Sequence, residues 1–210
     1  MIISIASGKG GTGKTTLAAN LAVALGNTQP EITLLDCDVE EPNDHLFLSP
    51  TFTRTIEIWA EVPEIDAGLC THCGKCQEIC QFNAIAILPE VALTFSELCH
   101  SCGGCFMVCP ENAVRAGKRL LGVVEEGSRG PLQFVQGRLR VGEAMAPPLI
   151  HRVRQAGGGD GLTLVDAPPG TSCPVIAALR GSDFVLLVTE PTPFGLNDLE
   201  IGRASCRERV

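Results

Sequence analysis

The 210-residue sequence predicts an α/β fold, a doubly wound and mostly parallel sheet interrupted by a small cysteine-rich α+β unit. Three observations predict it. A glycine-rich loop separates an apolar β-branched segment from a helical stretch near the N-terminus. Continuous apolar segments, of the kind buried on both faces of a parallel sheet, end in acids at Asp36 and Asp166. Between about Thr51 and Ala116 helical periodicity gives way to dense Cys and Gly, and a unit of about 29 residues occurs twice.

Met1 to Ser7 reads as a short buried strand, the following glycine-rich turn leads into a helix over Thr15 to Leu25, and Glu31 to Cys37 reads as a second strand. The Pro-containing segment from Asp38 to Asn43 follows as a loop. After the cysteine-rich stretch, Leu120 to Val124 and Leu132 to Val141 read as strands, and Leu149 to Gln155 as a short helix. Gly161 to Asp166 and Asp183 to Thr189 are further continuous apolar strands, with Cys173 to Arg180 as the crossover helix between them. Strand ends carrying acids and glycines place the chemistry along the carboxyl edge of the sheet. The expected division is residues 1–55 and 117–200 for the main domain, 56–116 for the insert and 201–210 for a separate tail.

The net charge of −8 argues against a nucleic acid held by bulk charge, and 4% aromatic residues without Tyr leave little for base stacking. No apolar run approaches the ~20 residues of a membrane helix. The opening residues lack a basic signal region, so the reading is a cytoplasmic protein. Eight of the eleven cysteines fall into two C-x-x-C-x-x-C-x-x-x-C runs, a metal pattern suited to a reducing compartment.

Gly8-Lys-Gly-Gly-Thr-Gly-Lys14-Thr15 matches G-x-x-x-x-G-K-[ST] between a strand and a helix, the context that the phosphate-binding loop requires. Gly8, Gly10, Gly11, Thr12 and Gly13 let backbone N–H groups face phosphates. Lys14 reaches the β/γ oxygens of ATP, and Thr15 offers a hydroxyl to Mg²⁺. Thr16 either supports the α-phosphate or finishes the helix turn.

With the additional Lys9, the loop resembles that of the deviant Walker-A ATPases, the MinD, ParA, nitrogenase iron protein and iron–sulfur assembly group. The resemblance implies a P-loop NTPase fold and a homodimer sandwiching ATP, with Lys9 crossing to the partner's nucleotide. Read alone, Lys9 is equally a second phosphate ligand within one subunit. The resemblance also implies Asp38 beside the attacking water, Asp36 in the outer shell of the metal, Asp166 on a Mg²⁺-bound water and the Gly170 N–H facing the γ-phosphate. Taken singly, an acid after a strand is commonly a helix cap.

Cys70, Cys73, Cys76 and Cys80 form the first cysteine run, and Cys99, Cys102, Cys105 and Cys109, followed by Pro110, the second. The spacing resembles that of bacterial ferredoxins, in which the fourth cysteine crosses to the other cluster. It implies one [4Fe-4S] cluster on Cys70, Cys73, Cys76 and Cys109 and another on Cys99, Cys102, Cys105 and Cys80. Zinc competes for any C-x-x-C pair, but two such runs exceed what a four-ligand zinc site needs. Gln81 stands where proline usually follows the fourth cysteine, and His72 and His100 read as exposed loop residues. Cys37 reads as a core residue. Cys173 is open between a loop or buried thiol and a cluster-bridging cysteine, which the nitrogenase iron protein carries at the matching place.

Residues 201–210 break the helical pattern and resemble a translated sequencing adapter, so the native chain is expected to continue differently beyond Glu200 and to leave membrane association open. Together these readings describe a MinD-superfamily ATPase with a two-cluster insert that couples nucleotide state to electron transfer with a redox protein. The alternatives are an ATPase that assembles or delivers clusters, and a non-enzymatic electron carrier that uses nucleotide to dimerise.

Overall fold

The computed structural model describes residues 1–29, 31–157 and 161–207. Two compact units divide the chain. The first comprises Met1–Glu57, Gly122–Val141 and Ala146–Val210, and the second Ile58–Leu121 with Gly142–Met145. The insert expected to end at residue 116 therefore reaches Leu121 and takes in a later tetrapeptide, which no composition change announces.

In the first unit β1 (Ile2–Ala6), α1 (Lys14–Gly26) and β2 (Ile32–Asp36) form the opening β-α-β. A short helix, α2 (Asp44–Leu48), follows directly on the loop read over Asp38 to Asn43, and β3 (Thr51–Ile65), which passes from the first unit into the second, begins where the cysteine-rich stretch was expected. Later come β6 (Val114–Arg129), which begins in the second unit, and then β7 (Leu132–Leu139), α5 (Ala146–Ala156), β8 (Leu162–Asp166), α6 (Cys173–Leu179), β9 (Phe184–Leu187) and α7 (Pro193–Arg207). The strand order is β3-β6-β7-β2-β8-β1-β9. Pairing is parallel from β7 through β9 and antiparallel between β6 and β7.

Period-2 alternation explains how both faces of this sheet are covered. Leu34 joins Ile5, Ala18, Ala22, Phe134 and Leu164 in the core beneath α1, whereas its neighbour Leu35 meets Gly157 at the end of α5. Leu149, Ile150 and Val153 of α5 are fully buried. The expectation of burial on both faces fails for β9, where Phe184 and Leu186 remain 62% and 42% exposed. The reason is its place: β9 is an edge strand with β1 as its neighbour. Helix α7 continues through the position where the sequence pattern breaks at residue 201.

In the second unit α3 (Lys75–Ile79) and α4 (Gly104–Val108) pack together, accompanied by the hairpin of β4 (Ile85–Ile87) and β5 (Ala92–Thr94). The internal repeat is visible in the backbone. His72 and Ser101 share φ near 54° and 53°, Gly74 and Gly103 share 78° and 77°, and Asn83 and Asn112 share 52° and 51°. Each pair lies about 29 residues apart in sequence. Arg119 is buried here against Glu143 at 3.0 Å and donates to the Ser96 carbonyl, three residues before Cys99.

Candidate functional site

The loop after β1 opens on a cavity of about 450 Å³ lined by Gly10, Gly11, Thr12, Gly13, Lys14, Thr15 and Thr16, with Asp38 and Asn43 on the far wall. Gly11 and Gly13 have φ of 78° and 88°, a region costly for side chains with a Cβ, so these glycines are what lets the loop wrap. Gly8 is required for closeness instead: a Cβ there would lie 2.6 Å from the Asp198 side chain of α7.

Parallel pairing of β2 with β8 sets Asp36 directly beside Asp166 at the carboxyl edge. Asp166 is 1% exposed and accepts from Lys14 Nζ at 2.7 Å on one oxygen and from the Thr15 hydroxyl at 2.7 Å on the other. Asp36 is fully buried and accepts the backbone N–H groups of Asp38, Asn43 and Asp44. It organises the loop that presents Asp38 to the cavity.

Asp44 was not anticipated. It is fully buried at the start of α2, and both its oxygens lack a hydrogen-bond donor among the described residues. One oxygen from each of Asp36, Asp44 and Asp166 lies within 4.8 Å of the others. No motif places an acid at this position, and only the turn of residues 38–43 back toward β2 brings it in. Burial, then the neighbouring Asp36 and Asp166, pushes Asp44 up to about 9. Burial, then Asp166, raises Asp36 to about 7, and burial chiefly raises Asp38 to about 6 and moves Asp166 upward as well.

Two expected phosphate contacts point elsewhere. Lys9 forms an ion pair with Glu190 of its own chain, leaving the cavity, and this bond holds the Glu190 carboxyl below the usual range. The Gly170 N–H donates to the Ser7 carbonyl at 2.9 Å, so facing a γ-phosphate requires that bond to open.

In the second unit the eight cysteines gather crosswise. One cavity is lined by Cys70, Cys73, Cys76 and Cys109, the other by Cys80, Cys99, Cys102 and Cys105. Backbone amides aim at the sulfurs: Ala84 N–H at Cys80 at 3.3 Å, Ala113 N–H at Cys109 at 3.2 Å and Ser101 N–H at Cys99 at 3.3 Å. Burial raises Cys76 and Cys105 as free thiols. His100 is exposed and stacks on Phe82 with ring centres 3.7 Å apart, while His72 is half-buried. Cys37 is buried and its thiol pushed upward by burial, and Cys173 is exposed at the start of α6, outside both cysteine-lined cavities.

Comparison with known proteins places this geometry. The chain is 39% identical over 201 residues to the uncharacterized protein MJ0578 of Methanocaldococcus jannaschii, covering 94% of this chain and 70% of that one. An iron-sulfur cluster carrier protein of Synechocystis is 57% identical over 42 residues, which is 20% of this chain and 12% of that protein. The septum site-determining protein MinD of Pyrococcus horikoshii, solved with Mg-ADP, superposes with a TM-score of 0.54 at 22% identity and so shares the fold. That superposition covers all of this chain but 66% of the MinD chain. Residues 3–166 match the family model of the CobQ/CobB/MinD/ParA nucleotide-binding domain, and the chain belongs to that family.

Proposed function

We propose that this protein is an ATP-hydrolysing switch, acting as a homodimer, whose nucleotide state governs electron transfer between two [4Fe-4S] clusters and a redox protein. The observation that carries the cluster half is the crosswise gathering of the eight cysteines into two sets of four. The donor set fits: four thiolates per cavity, with amides directed at sulfur to stabilise the charged form. A single zinc ion fits less well, because tetrahedral Zn–S bonds put sulfurs ~3.8 Å apart. Among the described residues no three of these sulfurs lie mutually within 4.8 Å. Bound clusters would supply one-electron storage at each set of cysteines.

On the nucleotide side, Lys14 leaves Asp166 for the β/γ oxygens, and the freed Asp166 and the Thr15 hydroxyl are the groups that would hold Mg²⁺. The ion neutralises phosphate charge when present. Asp38, at the cavity wall and with a proton affinity raised toward neutrality, orients the attacking water and accepts its proton. Asp36 positions Asp38 through the backbone. Lys9 releases Glu190 and reaches the partner subunit's nucleotide.

The second reading, cluster delivery, is favoured by the short match to an iron-sulfur cluster carrier protein. Hydrolysis measured with the clusters oxidised and reduced separates the two. Equal rates, with a cluster potential unmoved by ATP, overturn the electron-transfer reading, and iron passing to an acceptor protein lacking its cluster establishes delivery. Lys14→Ala should abolish ATP binding while the brown cluster absorbance persists; loss of both would refute independent nucleotide and cluster sites.

A further inference from the structure

Asp36, Asp44 and Asp166 pose a charge problem that the nucleotide mechanism leaves unsolved. Each is at most 1% exposed. Lys14 Nζ, at 2.7 Å from Asp166, is the ammonium paired with this group. Were all three ionised against this one lysine, two negative charges would stand uncompensated in the interior, and uncompensated buried charge is expensive. The hydrogen-bonding is also uneven. Both oxygens of Asp36 and both of Asp166 accept hydrogen bonds from backbone or side-chain donors. Among the described residues Asp44 has none on either oxygen, although it is sealed from water. A carboxyl group sealed from water with no donor on either oxygen has two oxygens free to ligate a cation.

We propose that Asp44 completes a divalent-cation site with Asp36 and Asp166, and that this site loads before any nucleotide arrives. The chemistry of the set selects a hard, oxygen-seeking ion. Around one octahedral Mg²⁺, ligand oxygens sit ~3 Å apart when adjacent and ~4 Å when opposite. The three aspartates already hold oxygens within 4.8 Å of one another. Two positive charges cancel the two left over by Lys14, so the ion supplies the missing partner of Asp44 and makes the nest electrically neutral. When Lys14 moves to phosphate, the ion also keeps Asp166 from being stranded. Preloading thus sets up the metal shell that hydrolysis uses, and it gives α2, through its first residue, a direct link to metal occupancy.

The inference rests on the nucleotide-site reading only in its use of Asp36 and Asp166, and a measurement without nucleotide separates the two. The cluster-containing protein, freed of nucleotide, is titrated with Mn²⁺, which accepts the same octahedral oxygen ligands, and the unbound ion is counted by electron paramagnetic resonance. One saturable Mn²⁺ per chain is expected. Asp44→Asn and Asp44→Ser should each weaken it by about tenfold or more. Two variants of different size guard against one that fails to fold, which circular dichroism reports. Lys14→Ala should lose ATP yet keep the Mn²⁺. The proposal is overturned if both Asp44 variants bind Mn²⁺ as tightly as the unaltered chain, since the carboxylates then hold protons instead. It is equally overturned if the unaltered chain takes up Mn²⁺ only together with ATP.

Discussion

Lys9 and Lys14 lie in one loop, yet their surroundings give them different roles. Lys14 is buried and ion-paired with the likewise buried Asp166 at 2.7 Å. Lys9 is about a third exposed and paired with Glu190, a bond that water competes with and that any outward reach must break. Glu190→Gln should therefore tighten dimerisation with a non-hydrolysable ATP analogue by no more than a few-fold, as exposed pairs hold little energy. Sedimentation measures it; a weaker dimer would mean that Glu190 aims Lys9 instead of restraining it. Asp44 teaches a related lesson. It is an ordinary residue in sequence, and its character comes from two acids that approach it in space.

Among the elements, β7 shows how tightly the loop after β2 is seated. A Cβ on Gly137 would lie 2.5 Å from Val39 and 2.8 Å from Val153 of α5. Val39 directly follows Asp38, so the strand, the helix and the loop after β2 meet at one missing methyl group. Gly137→Ala should lower stability by about 1–3 kcal/mol through overpacking and should slow ATP hydrolysis beyond what that loss explains. A thermal melt and a turnover measurement check the two parts; full turnover at normal stability would show that Val39 moves without Asp38. By contrast, β9 at the sheet edge leaves Phe184 and Leu186 partly exposed, although its sequence is as apolar as that of β8. Hydrophobicity alone does not say which strand is central.

At the scale of the whole chain, the second unit closes on an ion pair between Arg119 and Glu143, side chains 4% and 1% exposed. Glu143 comes from a tetrapeptide beyond β7, so the unit is assembled from segments far apart in the chain. Removing one partner of such a pair leaves a buried charge, and Glu143→Gln should destabilise this unit by about 3–5 kcal/mol. On the proposed two-cluster reading, the cluster absorbance should bleach at lower temperature while nucleotide protection of the first unit persists; unchanged bleaching would show that the pair contributes nothing. The sequence by itself determined the phosphate loop, the strands that end in Asp36 and Asp166, and the eight candidate cluster ligands. Each of these is written in a short run of residues whose spacing carries the chemistry. Only the tertiary structure decided that Asp44 joins the acids, that Lys9 rests on Glu190, that β9 is an edge and that Glu143 belongs with Arg119. These depend on contacts between residues far apart in the chain, and the chain's return path, not local pattern, sets which of them meet.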